Sequence, residues 1–348
     1  MAGQPLTPWT EEKKKIPLGE AAFTISIDTE LAWGSFDRDG LRKYDKEYAL
    51  EREIIRDLLI LFERYRIKAT WAIVGHLFLQ RCAKNGPTSH NRVLQPQYSW
   101  YPQGWLSHDP FSDVDKDPFF YAPDIVDAIL GSSQAHEIAS HTFSHAILGD
   151  PECSGDVARS QLTECRRLAE EKGVRLHSVV FPRNSIGHLD ILCQLGFTCF
   201  RGPEKSWYNM TEAPKYASKL FHFADKLLAV SPPVYPELEC LLCGNERSVI
   251  VDVPASMFFT PYKGLWRLVS ISDRIRQAKK GLASAIREKA LFHLWFHPVN
   301  LASSSQLMDA LEEILFEVSK MVEAGNMHSM TMEEIAARIL SGVPSDAR

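Results

Sequence analysis

Short apolar, β-branched runs alternate along the chain with longer stretches whose apolar residues recur at helical spacing. The short runs are predicted strands, at residues 22–27, 69–74, 137–140, 178–181, 197–200, 249–253 and 291–296. The longer stretches are predicted helices, at residues 52–65, 156–171, 187–195, 266–289 and 306–324. Strands that alternate with helices indicate parallel pairing through right-handed crossovers. We therefore predict an α/β fold in which the strand–helix units form a TIM-like (β/α)7 barrel.

The segment 77–123 interrupts this alternation. It is rich in proline, aspartate and aromatic residues, among them Tyr98, Trp100 and Trp105. Irregular stretches of this length are usually functional loops or disordered, and the aromatic density argues against disorder. We expect either a lid or substrate wall, or rings that pack over the barrel or in an oligomer contact. The predicted organisation is an N-terminal extension at 1–20 and one barrel domain at 21–340 that contains this insertion.

Composition narrows the classes of partner. Of the 348 residues, 45% are hydrophobic and 24% are charged, as in an ordinary globular protein. The net charge of -5 gives no basic excess, so nucleic acid is not an expected partner. The first twenty residues are polar and lead into no apolar stretch long enough for a signal peptide or membrane span. We expect a cytoplasmic protein without a membrane span.

The seven cysteines are predicted to be buried thiols. Their number is odd, and several lie in apolar surroundings, as at Cys82, Cys193 and Cys199, which does not suit a disulfide framework. Cys240 and Cys243 form one C-x-x-C, but a structural zinc site of this type needs a second pair. We therefore expect these two residues in a loop or in the core.

Polar side chains follow four of the predicted strands. They supply carboxylate, imidazole and guanidinium groups: Asp28, Glu30, His141, His145, Arg183 and His297. In a parallel barrel the carboxyl ends of the strands meet at one face, where reactive groups lie. Asp252, Phe258 and Tyr262 lie at or after a further strand end and are candidates for the pocket wall. The sequence thus predicts one active-site mouth.

His141 and His145 are four residues apart, a spacing at which two imidazoles can project from one side of a helical turn. Two imidazoles and one carboxylate form a common zinc-type set that leaves a coordination position open. This pattern indicates a catalytic metal. His136 and His293 lie in or beside apolar strands and are instead expected to be core or surface residues.

The string H-E-I-x-S-H-T-x-x-H at 136–145 resembles the second motif of the polysaccharide deacetylase superfamily, also called NodB-homology or carbohydrate esterase family four. The resemblance extends from about Phe23 to His297. It includes, in order, a carboxylate strand end, the two histidines, an arginine-bearing strand end and a late His-Pro. It implies a distorted (β/α) barrel, a divalent ion held by an Asp and two histidines, and removal of acetyl groups from N-acetylated sugars.

The resemblance also implies a role for each residue. His141 and His145 match the metal-binding histidines. Asp28 matches the first carboxylate of the family's T-F-D-D motif, which is the catalytic base. Arg183 resembles the arginine that orients this base. His297 resembles the late histidine that acts as general acid.

One position departs from the family pattern. The second aspartate of T-F-D-D, normally the metal ligand, is Thr29 here, and the next acidic residue is Glu30. Some divergent members take the metal carboxylate from that later position, so Glu30 is the candidate ligand, with Asp28 as the alternative. Relatives that act on ureides or cyclic imides also depart at this motif. Zn²⁺ is the expected ion, with Co²⁺ or Ni²⁺ as alternatives.

Three hypotheses about function follow. The first is an N-deacetylase of an acetamido sugar in polysaccharide or glycoconjugate biosynthesis, acting on a small-molecule or oligosaccharide substrate. Its metal would polarise the acyl oxygen, and a backbone N–H beside Arg183 or Asn184 would help to stabilise the oxyanion. The second is a hydrolase of cyclic imides or ureides, similar to allantoinase. The third, motivated by Thr29, is an inactive barrel that binds carbohydrate.

Overall fold

A computed structural model describes residues 13–37, 45–205, 230–243 and 248–342. The strands within these ranges are β1 Lys13–Pro17, β2 Ala22–Thr29, β3 Thr70–Ile73, β4 Glu137–Ser140, β5 Ser178–Val180, β6 Cys199–Arg201, β7 Glu237–Cys243, β8 Ser248–Asp252, β9 Met257–Phe258, β10 Leu291–Phe296 and β11 His328–Ser329. The α-helices are α1 Asp45–Tyr65, α2 Pro123–Leu130, α3 Gly155–Glu171, α4 Leu189–Gln194, α5 Ile271–Glu288, α6 Pro298–Leu301, α7 Ser305–Glu323 and α8 Met332–Ser341.

The strands form one curled sheet in the order β1-β7-β8-β6-β5-β4-β3-β2-β10-β9, with β11 also paired to β2. Every pairing from β8 to β9 is parallel, and only β7 pairs antiparallel with its neighbours β1 and β8. Across the described ranges β1 and β9 are the free ends of this order, so the barrel is open on one side. The predicted α/β barrel is confirmed, in the distorted form that the resemblance implies. The seven predicted strands correspond to β2, β3, β4, β5, β6, β8 and β10.

Strand β2 lies in the middle of this sheet and is buried along its whole length. Its alternate residues Phe23, Ile25 and Ile27 belong to the main hydrophobic core, which includes residues of the surrounding helices. The residues between them face the barrel interior, where the Ser26 hydroxyl accepts a hydrogen bond from another strand. A strand covered on both faces thus delivers Asp28 to the carboxyl end of the barrel.

The opposite end of the barrel is closed by α8, a helix that the sequence analysis did not predict. Met332, Ile335 and Ile339 pack there against Ala22 and Leu291, the first residues of two central strands. A capping box between Thr331 and Glu334 starts the helix. With its amino-terminal end filled by apolar side chains, the barrel has room for polar chemistry at its carboxyl end.

Several predicted boundaries differ from the structure; the helix predicted at 52–65, for example, begins at Asp45. The helix predicted at 266–289 begins only at Ile271, because the Ser270 hydroxyl accepts a hydrogen bond from the Asp273 N–H and caps it. Residues 13–17, predicted to belong to an N-terminal extension, form β1 and pair with β7. Their lysines are exposed, as is common on edge strands, so this strand lacks an apolar pattern. Residues 1–12 of the predicted extension lie outside the described residues.

The cysteines differ from expectation at one pair. Cys193 of α4 and Cys243 of β7 form a disulfide, although these positions were predicted to be unpaired thiols. Five other cysteines are unpaired and buried, as predicted. The spacing of 50 residues between the two partners carries no sequence signal. Separately, among the described helices none is long and apolar enough to cross a membrane.

The insertion at 77–123 is ordered and mostly irregular. Its rings Tyr98, Tyr101 and Trp105 are buried and pack on one another, with Trp105 also contacting Phe36 at 4.9 Å between ring centroids. One indole in this segment, Trp100, is 43% exposed. The rings therefore pack over the barrel, which is one of the two predicted alternatives.

Candidate functional site

Two cavities lie at the carboxyl end of the barrel, with volumes of about 150 and 210 Å³. They share Asp28, Glu30, Gly34 and His297 as lining residues. The smaller cavity is also lined by His145, Arg183, Asn184 and Trp295, and the larger one by Leu31, Ser35, Tyr48, Glu51, Phe258, Val299 and Asn300. The structure thus brings most strand-exit residues to one mouth. No residue of the described insertion 77–123 lines either cavity, and neither do Asp252 and Tyr262.

Glu30, His141 and His145 form a compact group of potential metal ligands, which we call the mouth cluster. The Glu30 Oε1 atom lies 2.9 Å from His141 Nε2 and 3.1 Å from His145 Nε2. Both histidines are buried, whereas the glutamate side chain is 13% exposed toward the cavity. A tetrahedral zinc ion with bonds of about 2.0–2.3 Å would place its ligand atoms roughly 3.3–3.8 Å apart. The three atoms therefore have nearly the spacing that such an ion requires.

The protonation of His141 supports a cation at the mouth cluster. Its Nδ1 lies 2.8 Å from the Val180 carbonyl oxygen, which can only accept, so Nδ1 carries a hydrogen. In the neutral ring Nε2 is then a lone-pair atom that faces the Glu30 carboxylate. Two acceptors at hydrogen-bond distance need a proton or a metal ion between them. A carbonyl oxygen that accepts from the other ring nitrogen commonly fixes the tautomer of metal-binding histidines.

The loop that carries the two histidines is not helical, in contrast to the predicted helical turn. Thr142 and His145 both have a φ of 58°, in the left-handed region. The loop is held by backbone hydrogen bonds from Gly75 N to the Thr142 oxygen and from His76 N to the Phe143 oxygen. A left-handed backbone conformation at a residue other than glycine costs free energy, so it persists only where the surrounding contacts enforce it. Such residues cluster at functional sites.

Gly34 allows the Glu30 carboxylate to reach the mouth cluster. A Cβ atom at this position would overlap the carboxylate oxygen of Glu30. Burial would raise the pKa of Glu30, but the charges of His297 and His145 and the close contacts with the mouth histidines lower it well below its ordinary value. The Glu30 carboxylate is therefore ionised, and the absence of a side chain at Gly34 leaves room for it.

Asp28 forms a buried pair with Arg201, the last residue of β6. Arg201 donates to both oxygens, at 2.6 Å to Oδ1 and 2.7 Å to Oδ2, and its guanidinium lies over the Trp295 ring at 4.2 Å. Burial would raise the pKa of Asp28, but the charge of Arg201 and its hydrogen bonds outweigh this and lower the pKa. Since Glu30 Oε1 lies within 3.1 Å of both mouth imidazoles whereas Arg201 holds the Asp28 carboxylate, the geometry favours Glu30 over Asp28 as the metal carboxylate.

The predicted contact between Arg183 and Asp28 is wrong. Arg183 lines the smaller cavity, but its guanidinium pairs with Asp37 and lies 5.2 Å from the centroid of the Trp100 ring. A φ of 58° turns the Arg183 backbone away from the continuation of β5. The sequence analysis missed Arg201, although it directly follows a predicted strand and so carries the same strand-exit signal as Arg183.

Asn184 contributes its side chain to the mouth. Its Oδ1 accepts a hydrogen bond of 3.2 Å from Arg201, whereas its backbone N–H donates to the Phe181 oxygen. The Asn184 N–H is therefore already used, and the expected oxyanion donor beside Arg183 or Asn184 stays a prediction. Asn184 instead helps to orient the arginine that holds Asp28.

His297 lies between the two carboxylates. Its Nε2 is 3.4 Å from Glu30 Oε1 and 3.8 Å from Asp28 Oδ2. Burial alone would lower the pKa of His297, but the charges of Glu30 and Asp28 outweigh it and raise the pKa to about 9. The ring therefore holds a proton at neutral pH at the edge of the cavity.

Glu51 is a site residue that the sequence analysis did not identify. It lies within α1, is fully buried and lines the larger cavity, and both of its carboxylate oxygens lack a hydrogen-bond partner among the described residues. Burial and the charge of Glu30 raise its pKa to about 8, so it is protonated at neutral pH. A single acid within an amphipathic helix carries no signal that separates it from a surface residue.

Comparisons with known proteins agree with the fold. No family model matches the chain, and no curated protein matches its sequence. Among solved structures, a proposed polysaccharide deacetylase from Mycobacterium smegmatis matches with a TM-score of 0.60 at 15% identity, over 93% of this chain and 91% of that chain. A proposed polysaccharide deacetylase from Pseudomonas aeruginosa PAO1 matches with a TM-score of 0.58 at 12% identity, over 94% of this chain and 93% of the other.

A structure described as Puue allantoinase matches equally well, with a TM-score of 0.58 at 12% identity over 94% of this chain and 93% of that chain. At these identities the matches establish the shared fold. This chain therefore has the distorted barrel fold that these three structures share.

Proposed function

We propose that the protein is a metal-dependent amide hydrolase, an N-deacetylase of an acetamido sugar that acts in polysaccharide or glycoconjugate biosynthesis. One observation carries the proposal: Glu30 and His145 of the mouth cluster, Asp28 of the Asp28–Arg201 pair and His297 border the same cavity. These are the groups that hydrolysis of an amide needs, since its carbonyl is a poor electrophile and its nitrogen a poor leaving group. The fold supports this assignment by analogy only.

Glu30, His141 and His145 would hold the divalent ion, with Zn²⁺ expected from two imidazoles and a carboxylate. Such an ion acts as a Lewis acid toward an acyl oxygen and lowers the pKa of water from near 16 to about 7. The cluster offers three protein atoms and borders a cavity, so a coordination position would stay open to substrate or water.

Asp28 would accept the proton of the attacking water at Oδ2. The bidentate pair with Arg201 fixes the orientation of the carboxylate and keeps it ionised. Asn184 and the Trp295 ring in turn restrain the arginine. This is a positioning arrangement, since accurate placement of a base within hydrogen-bond reach contributes as much as its pKa.

His297 would donate a proton to the departing nitrogen. Glu30 and Asp28 raise its pKa, and its Nε2 faces the space between the two carboxylates. Proton transfer of this kind typically contributes about 10²–10⁴-fold to the rate. Phe258 and Trp295, whose rings lie 4.4 Å apart, would form an apolar wall for the acyl methyl group or a sugar face.

The experiment is an acetate-release assay on the zinc-loaded protein. It uses free acetamido sugars, nucleotide-activated acetamido sugars and short oligomers, and we expect acetate from at least one class. Parallel reactions contain allantoin and cyclic imides, and ring opening there without acetate from any sugar would favour the cyclic imide or ureide hydrolase. Binding of acetamido oligomers with no turnover of any compound would instead favour the inactive carbohydrate-binding barrel.

A further inference from the structure

A second group of potential metal ligands lies inside the molecule, away from the mouth. It contains two imidazoles, one thiol and one carboxylate, His76, Cys82, His90 and Asp109, which we call the insertion cluster. Their ligand atoms all lie within 4.8 Å of one another. All four side chains are buried. Three of the four residues come from the insertion at 77–123, and His76 directly precedes it.

The distances converge on one oxygen atom. Asp109 Oδ2 lies 2.7 Å from His90 Nε2 and 3.2 Å from His76 Nε2. The Cys82 sulfur lies 3.4 Å from Oδ1 and 3.5 Å from Oδ2 of the same carboxylate. Donor atoms around a tetrahedral zinc ion are separated by roughly 3.3–3.8 Å. The group is therefore close to the size of a zinc site without any rearrangement of the backbone.

The tautomer of His76 points to a cation. Its Nδ1 lies 3.0 Å from the Phe120 carbonyl oxygen and must donate there. The neutral ring then directs the lone pair of Nε2 at the Asp109 carboxylate, and this buried atom has no hydrogen-bond partner among the described residues. A lone pair facing an anion inside the protein is unfavourable unless a positive charge lies between them.

Backbone contacts hold the other ligands in place. The Asp109 Oδ1 atom accepts a 2.9 Å hydrogen bond from the Phe111 N–H, which leaves Oδ2 directed at the two imidazoles. The backbone N–H of Cys82 donates to the Ser112 oxygen. The Tyr121 hydroxyl lies 3.1 Å from the Cys82 sulfur and accepts from the Ser112 N–H. Such outer contacts are typical of metal sites, where they orient the ligands.

We propose that the insertion cluster is a structural zinc site in which His76 Nε2, Cys82 Sγ, His90 Nε2 and Asp109 Oδ2 are the four ligands. A thiolate among nitrogen and oxygen donors selects a borderline-soft ion such as Zn²⁺ over Mg²⁺ or Ca²⁺. Four protein ligands in a buried group leave no position for water or substrate, which is the pattern of structural sites. The site would bind a second ion, independently of the mouth cluster.

The position of the insertion cluster shows which segments of the chain the ion would connect. The Phe120 carbonyl that accepts from His76 also accepts from the indole of Trp33, which is in the turn that follows Glu30. The backbone N–H of His76 donates to the Phe143 oxygen, between the two mouth histidines. The ion would therefore fasten the irregular insertion to both segments that carry the mouth ligands.

The test uses the full chain produced in cobalt-supplemented culture, together with elemental analysis of zinc-grown protein. Cobalt bound to Cys82 gives a thiolate-to-cobalt charge-transfer band in the near ultraviolet, and the mouth cluster contains no thiol that could give one. We expect two metal ions per chain and this band in the wild-type protein. A cobalt-loaded wild-type protein without the band would overturn the proposal, leaving a cluster that shares only a proton.

The variants assign the band and the ion to residues. Cys82→Ser is expected to remove the band and one metal ion per chain, whereas Cys153→Ser, at another buried thiol near a tyrosine hydroxyl, keeps both. Glu30→Gln is expected to lose the other ion and to retain the band, so failure of the mouth proposal is distinguishable. If Cys82→Ser does not fold, Asp109→Asn replaces it, and we expect loss of one ion or a shifted band. A band that persists unchanged in either variant would contradict the proposal.

Discussion

The mouth cluster and the insertion cluster use similar ligands in different surroundings. The mouth cluster has three potential ligand residues, and two of them, Glu30 and His145, line a cavity. The insertion cluster has four potential ligand residues, all buried, and none of them lines either mouth cavity. The number of potential ligands and the access to a cavity, rather than the type of donor, therefore distinguish the proposed catalytic site from the proposed structural site.

The two clusters also differ in what lies next to them. Around the insertion cluster, backbone groups and a tyrosine hydroxyl occupy the remaining polar atoms of Asp109 and Cys82. At the mouth, by contrast, a buried acid without a hydrogen-bond partner and a charged imidazole border the cavity. Unsatisfied polar groups are costly in a protein interior. Their presence at the mouth fits a site whose partners arrive with the substrate.

The largest effect is expected from Glu30→Gln. The neutral amide is a much weaker ligand, so metal affinity at the mouth should fall at least about 100-fold, more than is typical for changes in outer contacts. Without the Lewis acid, kcat/KM should fall by more than about 10⁴-fold. Metal titration and the acetate assay measure both quantities. Glu53→Gln, the same change at an exposed position of α1, is the control and should keep the wild-type values.

If Glu30→Gln retained both the mouth metal and the activity, the proposed mouth site would be wrong, because the metal would then not depend on its only proposed carboxylate ligand. Loss of activity with retention of metal would instead assign Glu30 to proton transfer.

Asp28→Asn should lower kcat by about 10³-fold, within the usual range for removal of a general base, while the mouth metal is retained. The amide keeps the shape of the carboxylate but cannot accept the proton. The measurement is kcat together with metal content. If the variant also loses the mouth ion, Asp28 is a metal ligand, and the assignment of Glu30 as the carboxylate must be revised. Arg201→Lys tests the positioning role, since lysine cannot form the bidentate pair.

The mouth was largely predictable from sequence because its residues obey a rule of the fold. Strand exits in a parallel barrel converge, so Asp28, His141 and His297 could be placed together without coordinates. The orienting arginine was misassigned because two strand exits carry an arginine, and only the geometry shows that Arg201 reaches Asp28. The left-handed backbone conformation of Thr142 and His145 in the histidine loop also has no sequence pattern from which it could be predicted.

The insertion cluster was not predictable by the same reasoning. His76, Cys82, His90 and Asp109 are spread over more than thirty positions with no short repeat of the zinc-finger type. They meet because an irregular segment folds back on the turn after β3. Irregular segments have no hydrophobic periodicity from which such a contact could be predicted. The aromatic content of this segment predicted that the segment is ordered. It carried no signal for the potential metal ligands that lie between the rings.

Loss of the insertion cluster should loosen one region and affect catalysis much less. In Cys82→Ser we expect amide hydrogen exchange within 80–121 to rise by about 100-fold, which corresponds to loss of about 2.7 kcal/mol of ligand-linked stability. Exchange in the central strands β2 and β10 should change little. Hydrogen exchange with mass-spectrometric readout measures this, with Cys153→Ser as the control. Equal acceleration across the whole chain would contradict a local role.

The smallest expected effect concerns Glu51, the buried acid at the mouth whose carboxylate oxygens lack a hydrogen-bond partner among the described residues. Its protonated carboxyl can both donate and accept a hydrogen bond at the wall of the larger cavity. Glu51→Leu should raise KM about tenfold, since one hydrogen bond to substrate is worth roughly 1.4 kcal/mol. Glu51→Gln keeps a donor and an acceptor and should recover most of this loss. Steady-state kinetics on the best acetamido substrate measure the KM of each variant. Equal KM values in the two variants would mean that Glu51 only fills space, and the mouth would then resemble the insertion cluster in having no polar group reserved for substrate.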